Sequence, residues 1–216
     1  MTSVTKRIRS VSIRVLLTAA GLAAWFWTQS LISQRALPAA GIGDGLLDWT
    51  SSVNTYLFAH TEAANALLIV SSGIIDLLGL FLLGSWILGP SVRPFLGLIC
   101  VLGLRQLVQG LVALPIPEHA IWRYPGFPSL LVTYGVANDY FFSGHTSIAV
   151  LGATELARRG NRWLVALAVC IAIFEMGTVL ALRAHYTMDV FTGALAALLV
   201  ASFIGAASRP IDRLLG

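Results

Sequence analysis

Long runs of apolar residues alternate with short polar stretches along this chain. A helix needs about 20 largely apolar residues to cross the hydrocarbon core of a bilayer. By that criterion the pattern predicts six helices, near residues 12–33, 65–88, 94–114, 141–157, 163–182 and 186–207. We therefore expect an all-α fold, a polytopic integral membrane protein with six transmembrane helices. Residues 1–216 would form a single domain, in which the first helix, within residues 1–34, is peripheral.

The composition strengthens the membrane interpretation. Of the 216 residues, 57% are hydrophobic and only 11% are charged, and the mean hydropathy is +0.82. A soluble domain usually carries about 25% charged residues. The net charge is +4, but the basic residues lie at the ends of apolar segments and form no single patch, so no nucleic-acid partner is expected. Cys100 and Cys170 lie inside apolar segments, which indicates packing and not a disulfide or zinc framework.

Two segments outside the later helices have simple interpretations. A basic N-terminus precedes the first apolar stretch, as in a signal peptide, but residues 11–33 exceed the usual apolar region of about 7–15 residues. We therefore expect a retained first helix. In the connection over residues 35–64, the run Gly41-Ile42-Gly43-Asp44-Gly45 has no preceding strand and no following lysine. A plain turn is predicted there, and not a phosphate-binding loop.

The positions of lysine and arginine predict the orientation. With a cytoplasmic N-terminus, ten basic residues fall on the cytoplasmic side and three on the other. The cytoplasmic set is Lys6, Arg7, Arg9, Arg14, Arg93, Arg158, Arg159, Arg162, Arg209 and Arg213, and the opposite set is Arg35, Arg123 and Arg183. This asymmetry follows the positive-inside rule. We expect a protein of the bacterial inner (plasma) membrane with both termini in the cytoplasm.

Two histidines stand at the starts of predicted helices, on the expected extracytoplasmic side. His145 follows Ser143 and Gly144 near the start of the fourth helix, and His185 precedes Asp189 by four residues at the start of the sixth. Ionisable groups at such positions in a membrane protein indicate function. Asp189 could accept the Nδ1 hydrogen of His185 and leave Nε2 free to attack phosphorus, while His145 protonates the departing oxygen. Free N–H groups at the start of the fourth helix could hold a phosphate.

Spacing alone leaves other interpretations open. Each histidine could be an ordinary hydrogen-bonded surface residue, or both could hold a metal or haem, since His and Asp are also ligands. A transport bundle is a further alternative, in which Asp76, Arg105 and Glu175 line a polar pathway. Arg105 lies about 13 Å inside its helix and would either meet substrate or pair with Asp76 or Glu175. Glu155 is expected at the membrane interface.

The two histidine motifs resemble those of a known family. Ser143-Gly144-His145 and His185-x-x-x-Asp189 resemble the second and third motifs of the type-2 phosphatidic acid phosphatase superfamily. The longer strings at 139–146 (DYFFSGHT) and 185–190 (HYTMDV) resemble most closely its sphingomyelin synthase-like branch. Arg105, followed by LPIP at 114–117, is a weaker match.

The resemblance implies a metal-independent lipid phosphotransferase or phosphatase that uses no cofactor, with a catalytic core over about residues 65–207. Its catalytic triad would be His145, His185 and Asp189. The substrate phosphate would meet Arg183, Arg105, Ser143, Gly144 and Thr146. The implied partners are a donor phospholipid, a lipid alcohol and membrane lipids, with a homo-oligomer as an option. The active site would face the extracytoplasmic side.

The chain departs from both branches at polar positions. Leu107 and Leu114 stand where the phosphatase branch has the cations of its first motif, and Thr178-Val179 replace the Ser-Arg that begins its third motif. Val108 and Val112 replace threonines of the synthase-like pattern. We therefore expect the substrate to differ more than the type of reaction.

Overall fold

The structure is a computed structural model that describes residues 41–134 and 140–215 and, before them, residues 16, 18–20, 22–24, 26–28, 30 and 31. The chain divides into two compact units, residues 1–43 and 44–216. In the first unit, the described residues between 16 and 31 are helical, and large apolar side chains such as Phe26 and Trp27 are exposed on them. The remaining predicted residues of the first helix lie outside the described part.

The second unit is helical, and its described residues form no strand. Its helices are α1 (Gly45–Trp49), α2 (Ser51–Ala59), α3 (Thr61–Ile87), α4 (Arg93–Leu111), α5 (Gly144–Ala157), α6 (Arg162–Ala181) and α7 (Thr187–Leu215). Among the described helices, α3, α4, α6 and α7 are long and apolar enough to cross a membrane. These four helices indicate an integral membrane protein, and they correspond to the second, third, fifth and sixth predicted helices.

The predicted fourth helix is shorter in the structure than the sequence pattern indicated. Helix α5 has 14 residues and begins at Gly144, three residues later than predicted. At 1.5 Å per residue it is about 21 Å long, which is less than the roughly 30 Å hydrocarbon core. Four candidate spans are therefore observed within the described residues, and the expected total of six stays a prediction.

Helix α5 forms the centre of the bundle. Nine of its 14 residues are buried, and it packs against α3, α4, α6 and α7. Small residues permit this close approach: a Cβ added at Gly152 would lie 2.9 Å from Leu78 Cδ2, and one at Gly97 would lie 3.2 Å from Leu151 Cδ1. Helices in membranes pack closely through such residues. Because protein surrounds α5, polar side chains at its start are shielded from lipid.

A buried ion pair joins the opposite end of α5 to α4. Arg93 Nε lies 2.8 Å from Glu155 Oε1, and the two side chains are only 10% and 8% exposed. Arg93 Nη2 also donates to the Ala201 carbonyl of α7 at 2.9 Å. Glu155 is expected at the membrane interface, which stays a prediction; the structure shows that its side chain is buried within the protein, where Arg93 of α4 supplies a cation.

Candidate active site

A cavity brings together the two histidines and one arginine. His145, His185 and Arg105 all line it, together with Gly144 and the ring of Trp122. The cavity holds about 60 Å³ of free space. A single water needs roughly 10–15 Å³, so the space is on the scale of a phosphate group with its oxygens. Residues from α4, α5 and the turn just before α7 thus meet at one place.

His185 is held by a backbone carbonyl. Its Nδ1 lies 2.7 Å from the Tyr140 carbonyl oxygen, and the side chain is only 6% exposed. A carbonyl can only accept a hydrogen bond, so Nδ1 carries a hydrogen, and in the neutral ring the lone pair is then on Nε2. The ring is therefore in the tautomer that a nucleophilic Nε2 requires.

Asp189 lies beside His185 but is not its hydrogen-bond partner. Asp189 Oδ2 is 3.6 Å from His185 Nδ1, which is beyond hydrogen-bond distance, and the same oxygen accepts from the Tyr186 N–H at 2.8 Å. Asp189 is the third residue of α7, and a carboxylate there reaches back to cap the helix start. The sequence predicted that Asp189 lies close to His185, and the two are adjacent. The Asp189 carboxylate, however, accepts its hydrogen bond from the Tyr186 N–H at the helix start and not from His185 Nδ1. This carboxylate is fully buried and 3.6 Å from Nδ1, which is close enough to stabilise a cationic ring.

The start of α5 presents N–H groups to the cavity. Ser143 Oγ accepts from the Thr146 N–H at 3.3 Å and from Thr146 Oγ1 at 3.0 Å, and both side chains are fully buried. These two predicted phosphate ligands therefore form the helix cap. The N–H groups of Gly144 and His145 have no acceptor among the described residues, as expected for the first turn of a helix.

Arg105 approaches the start of α5 closely. Its Nε donates to the Phe142 carbonyl at 2.8 Å, and a Cβ at Gly144 would lie 3.2 Å from that nitrogen. Gly144 therefore lets the guanidinium lie against the helix start. The two carboxylates considered as partners of Arg105 have other donors: Asp76 accepts from Ser129 Oγ at 2.9 Å, and Glu175 from Ser71 Oγ at 2.6 Å.

His145 lines the cavity and has a buried ring nitrogen. The side chain is buried, and its Nε2 has no hydrogen-bond partner among the residues that the structure describes. Its ring packs edge-on against Trp122, with centroids 5.2 Å apart. A buried polar atom without a partner is costly, so a ligand in the cavity is the natural acceptor or donor for it.

Arg183 is not among the cavity-lining residues. Its Nη1 donates to the Glu118 carbonyl at 3.0 Å and its Nη2 to the Leu47 carbonyl at 3.3 Å. Arg183 has a φ of 51° because it follows the end of α6, where its N–H and that of Ala184 donate to Leu180 and Val179 at 3.0 and 2.9 Å. This is a Schellman cap, which turns the residue into the left-handed region. Sequence proximity favoured Arg183 as a phosphate ligand, but the structure places Arg105 in the cavity instead.

Asp44 supports the histidine motif, a role that the sequence pattern did not predict. Its carboxylate accepts from the Leu46 and Leu47 N–H groups at the start of α1. It also accepts from the Thr187 N–H at 2.6 Å and from Thr187 Oγ1 at 2.5 Å, at the start of α7. Burial opposes ionisation, but the hydrogen bonds from Thr187 and from the backbone outweigh it and hold the pKa of Asp44 below its ordinary value. An aspartate directly before a helix is a typical N-cap. This feature of the sequence is the one that could have indicated the role of Asp44.

Asp76 anchors the connection that covers the cavity. Its carboxylate accepts from Ser129 Oγ and from the N–H groups of Leu130 and Leu131 at 2.8 and 2.9 Å. Leu131 and the two residues after it line the cavity. In the transport interpretation Asp76 would line a polar pathway. In the structure its carboxylate instead fixes one wall of the histidine cavity.

Residues 44–206 match the family model described as AtPDCT1/2, which is more than half of the chain. The chain belongs to this family. The matched part begins at Asp44 and contains His145, His185 and Asp189.

The chain is also similar to one curated protein whose name states an activity. The chain is 20% identical over 156 residues to phosphatidylcholine:diacylglycerol cholinephosphotransferase 1 of Arabidopsis thaliana, and the match covers 72% of this chain and 50% of the relative. The chain therefore spans about half the length of that relative. No solved structure matches. The resemblance to the type-2 phosphatidic acid phosphatase superfamily stays a prediction.

Proposed function

We propose that this protein is a membrane enzyme that transfers a phosphorylated headgroup from a donor phospholipid to a lipid alcohol. The observation that carries the proposal is the convergence of His145, His185 and Arg105 on one cavity. A relative named for cholinephosphate transfer between phosphatidylcholine and diacylglycerol supports the choice of transfer over hydrolysis.

The chemistry would proceed in two displacements at phosphorus. Nε2 of His185 attacks the phosphorus, and the bond from phosphorus to the oxygen of the departing lipid alcohol breaks while the N–P bond forms. Burial, then His185 and Arg105, lower the pKa of His145 to about 3 without substrate, so its ring is neutral there. The anionic phosphate of a bound lipid would raise that pKa, and His145, protonated in the complex, would give its proton to the departing oxygen. The acceptor alcohol then gives a proton to His145 and attacks the same phosphorus, and the N–P bond breaks. Water in place of the acceptor would yield the hydrolysis product.

Charge at the reacting centre would be balanced by groups already in place. Arg105 and the N–H groups of Gly144 and His145 would hold the phosphate oxygens, because a helix start and a guanidinium both favour an anion. The Tyr140 carbonyl keeps Nδ1–H of His185 oriented. The carboxylate of Asp189, 3.6 Å away, would stabilise the cation that forms when Nε2 is phosphorylated.

The histidine site is proposed to face the extracytoplasmic leaflet of a six-span protein. The starts of α5 and α7 carry the site, whereas the arginines at 158, 159, 162, 209 and 213 lie at the other helix ends. Single cysteines at Tyr124 and Arg213, in a chain without Cys100 and Cys170, test this orientation. A membrane-impermeant thiol reagent should label the cysteine at 124 in intact cells and the one at 213 only after lysis. The reverse pattern would refute the orientation.

Lipid mass spectrometry tests the reaction itself. Purified protein with phosphatidylcholine and a diacylglycerol should form a new phosphatidylcholine that carries the acyl chains of the added acceptor. Without acceptor, the protein mass should increase by one phosphorylated headgroup. His185→Ala should abolish both signals, and a chelator should change neither. If the His185→Ala variant still transferred the headgroup, the proposed phosphohistidine intermediate would be ruled out. Activity lost on addition of a chelator, or a haem absorbance band, would favour the metal or haem alternative.

A further inference from the structure

A second opening lies at the other end of the bundle. It is formed where α3 ends, α4 begins and α5 ends, and Arg93, Glu155, Arg158 and Arg159 line it. Helix α5 starts at the histidine cavity and ends at this groove, so the two places are about 20 Å apart along the helix. None of the residues that line one also lines the other. The groove is therefore separate from the proposed reaction.

The groove carries excess positive charge. Arg93 and Glu155 neutralise each other at 2.8 Å. Arg159 is held in place, with Cζ 5.2 Å from the centroid of the Phe81 ring and Nη2 donating to Ser85 Oγ at 3.2 Å. Arg158 is exposed, and no hydrogen bond or ion pair to its guanidinium is found among the described residues. These two guanidinium groups leave the groove ready to take an anion.

The Asp212 carboxylate lies near the groove but forms its hydrogen bonds with the start of α4 and not with the arginines of the groove. Asp212 accepts from Ser91 Oγ at 2.8 Å and from the Val92 N–H at 2.6 Å. Its oxygens are thereby directed to the start of α4. The charged side chains that line the groove remain three arginines and one glutamate.

The wall of the groove is an apolar stripe on α3. Leu80, Gly84 and Leu88 line the groove and share one helix face with Leu77, because the four are spaced three or four residues apart; Leu88 directly follows the end of α3. Leu77, Leu80 and Leu88 are 68%, 53% and 89% exposed. A Cβ added at Gly84 would meet nothing within 4 Å, so the glycine leaves a recess in the stripe. Cationic side chains and an apolar channel therefore meet at one point.

We propose that this groove binds an anionic phospholipid, with its phosphate at Arg158 and Arg159 and one acyl chain along the α3 stripe. The combination of cations with a continuous apolar wall selects a lipid over a soluble phosphate. The uncompensated positive charge disfavours a zwitterionic headgroup, whose own cation would lie near the arginines. In the proposed orientation the lipid belongs to the cytoplasmic leaflet. The inference does not depend on the reaction at the histidine site.

Native mass spectrometry of the purified protein tests the charge of the ligand. Phosphatidylglycerol should bind about tenfold more tightly than phosphatidylcholine, and the double variant Arg158→Gln/Arg159→Gln should remove that difference. The matched control is Arg162→Gln, an exposed arginine at the start of α6, close in sequence to Arg158 and Arg159, whose guanidinium lies over Trp163 and does not line the groove. Unchanged phosphatidylglycerol binding in the double variant, or an equal loss in the control, would overturn the proposal. Glycerol phosphate that binds as tightly as the lipid would overturn the role of the acyl chain.

A steric pair tests the apolar part of the site. Gly84→Leu should fill the recess and weaken phosphatidylglycerol binding severalfold. Gly73→Leu is its control, because Gly73 lies on the same face of α3 three turns earlier and also has open space around a Cβ. Equal lipid binding by the two variants would refute acyl-chain binding at Gly84.

The Arg158→Gln/Arg159→Gln variant should keep wild-type transfer in phosphatidylcholine micelles, and a loss of transfer would refute the independence of the groove from the histidine site.

Discussion

Replacing Asp44 with alanine tests how the nucleophile is held in place. The change removes a carboxylate that accepts four hydrogen bonds, from Leu46 and Leu47 on α1 and from two groups of Thr187 on α7. Thr187 follows His185 by two residues, so the loss frees the start of the helix that carries the nucleophile. Asp44 itself does not line the cavity and would act only through His185.

The size of the effect follows from the hydrogen bonds lost. A helix cap contributes about 1 kcal/mol and a hydrogen bond to a charged group about 1.5–3 kcal/mol. Asp44 is half-buried, so solvent reduces these values, and we expect a loss of about 2 kcal/mol in the free energy of unfolding. A displacement of His185 by about 1 Å would lower kcat on the order of 100-fold.

The kinetic assay separates positioning from general destabilisation. Asp44→Ala should lower kcat for headgroup transfer with little change in KM, and Asp44→Asn should recover part of it, because the amide oxygen can still accept from Thr187 Oγ1. Asp48→Ala is the matched control, since Asp48 is an exposed carboxylate on the same helix with no side-chain hydrogen bond among the described residues. Wild-type kcat in Asp44→Ala would refute the reasoning, as would an equal loss in the control.

The pKa of Asp44 also predicts the pH range of its contribution. The folded state holds the pKa of Asp44 below the ordinary value of 3.8, so the stabilisation is present above pH 3.8 and is lost as the pH falls through the folded value. The stability difference between wild type and Asp44→Ala should therefore be constant from about pH 5 to 8. Denaturant unfolding at several pH values measures it, and a difference that disappears near neutral pH would contradict the assignment.

Three further substitutions test other parts of the structure. Arg105→Lys should lower kcat/KM on the order of 100-fold, because the ammonium cannot hold two phosphate oxygens in the way that a planar guanidinium does; unchanged transfer would remove Arg105 from the site. Asp189→Asn should keep the helix cap but lose the negative charge beside His185, so transfer should fall at least tenfold while the melting temperature changes little. A variant that is unstable but transfers at the normal rate would show that Asp189 has a structural role only. Glu155→Ala should lower the free energy of unfolding by about 3–5 kcal/mol, because Arg93 is left buried and unpaired; the double variant Arg93→Met/Glu155→Leu should restore most of it, and a stable single variant would refute the importance of the ion pair.

The sequence alone determined the four long helices and the two motifs that carry the site. A run of about 20 apolar residues is a local property, so α3, α4, α6 and α7 could be read from the pattern. The alternation of successive spans also predicted that His145 and His185 lie at the same end of the bundle, and both line one cavity. The length of α5 was less predictable, since burial within protein removes the need to span the bilayer.

Only the tertiary structure decided which groups support these residues. The partner of His185 Nδ1 is a carbonyl 45 positions earlier in the chain, and Thr187 is capped by a carboxylate 143 positions earlier. Arg183 was nearer in sequence to His185, yet Arg105 lies in the cavity because the cap of α6 directs Arg183 to other carbonyls. Helix formation depends on neighbours in the chain, whereas these contacts depend on where separate helices and connections meet.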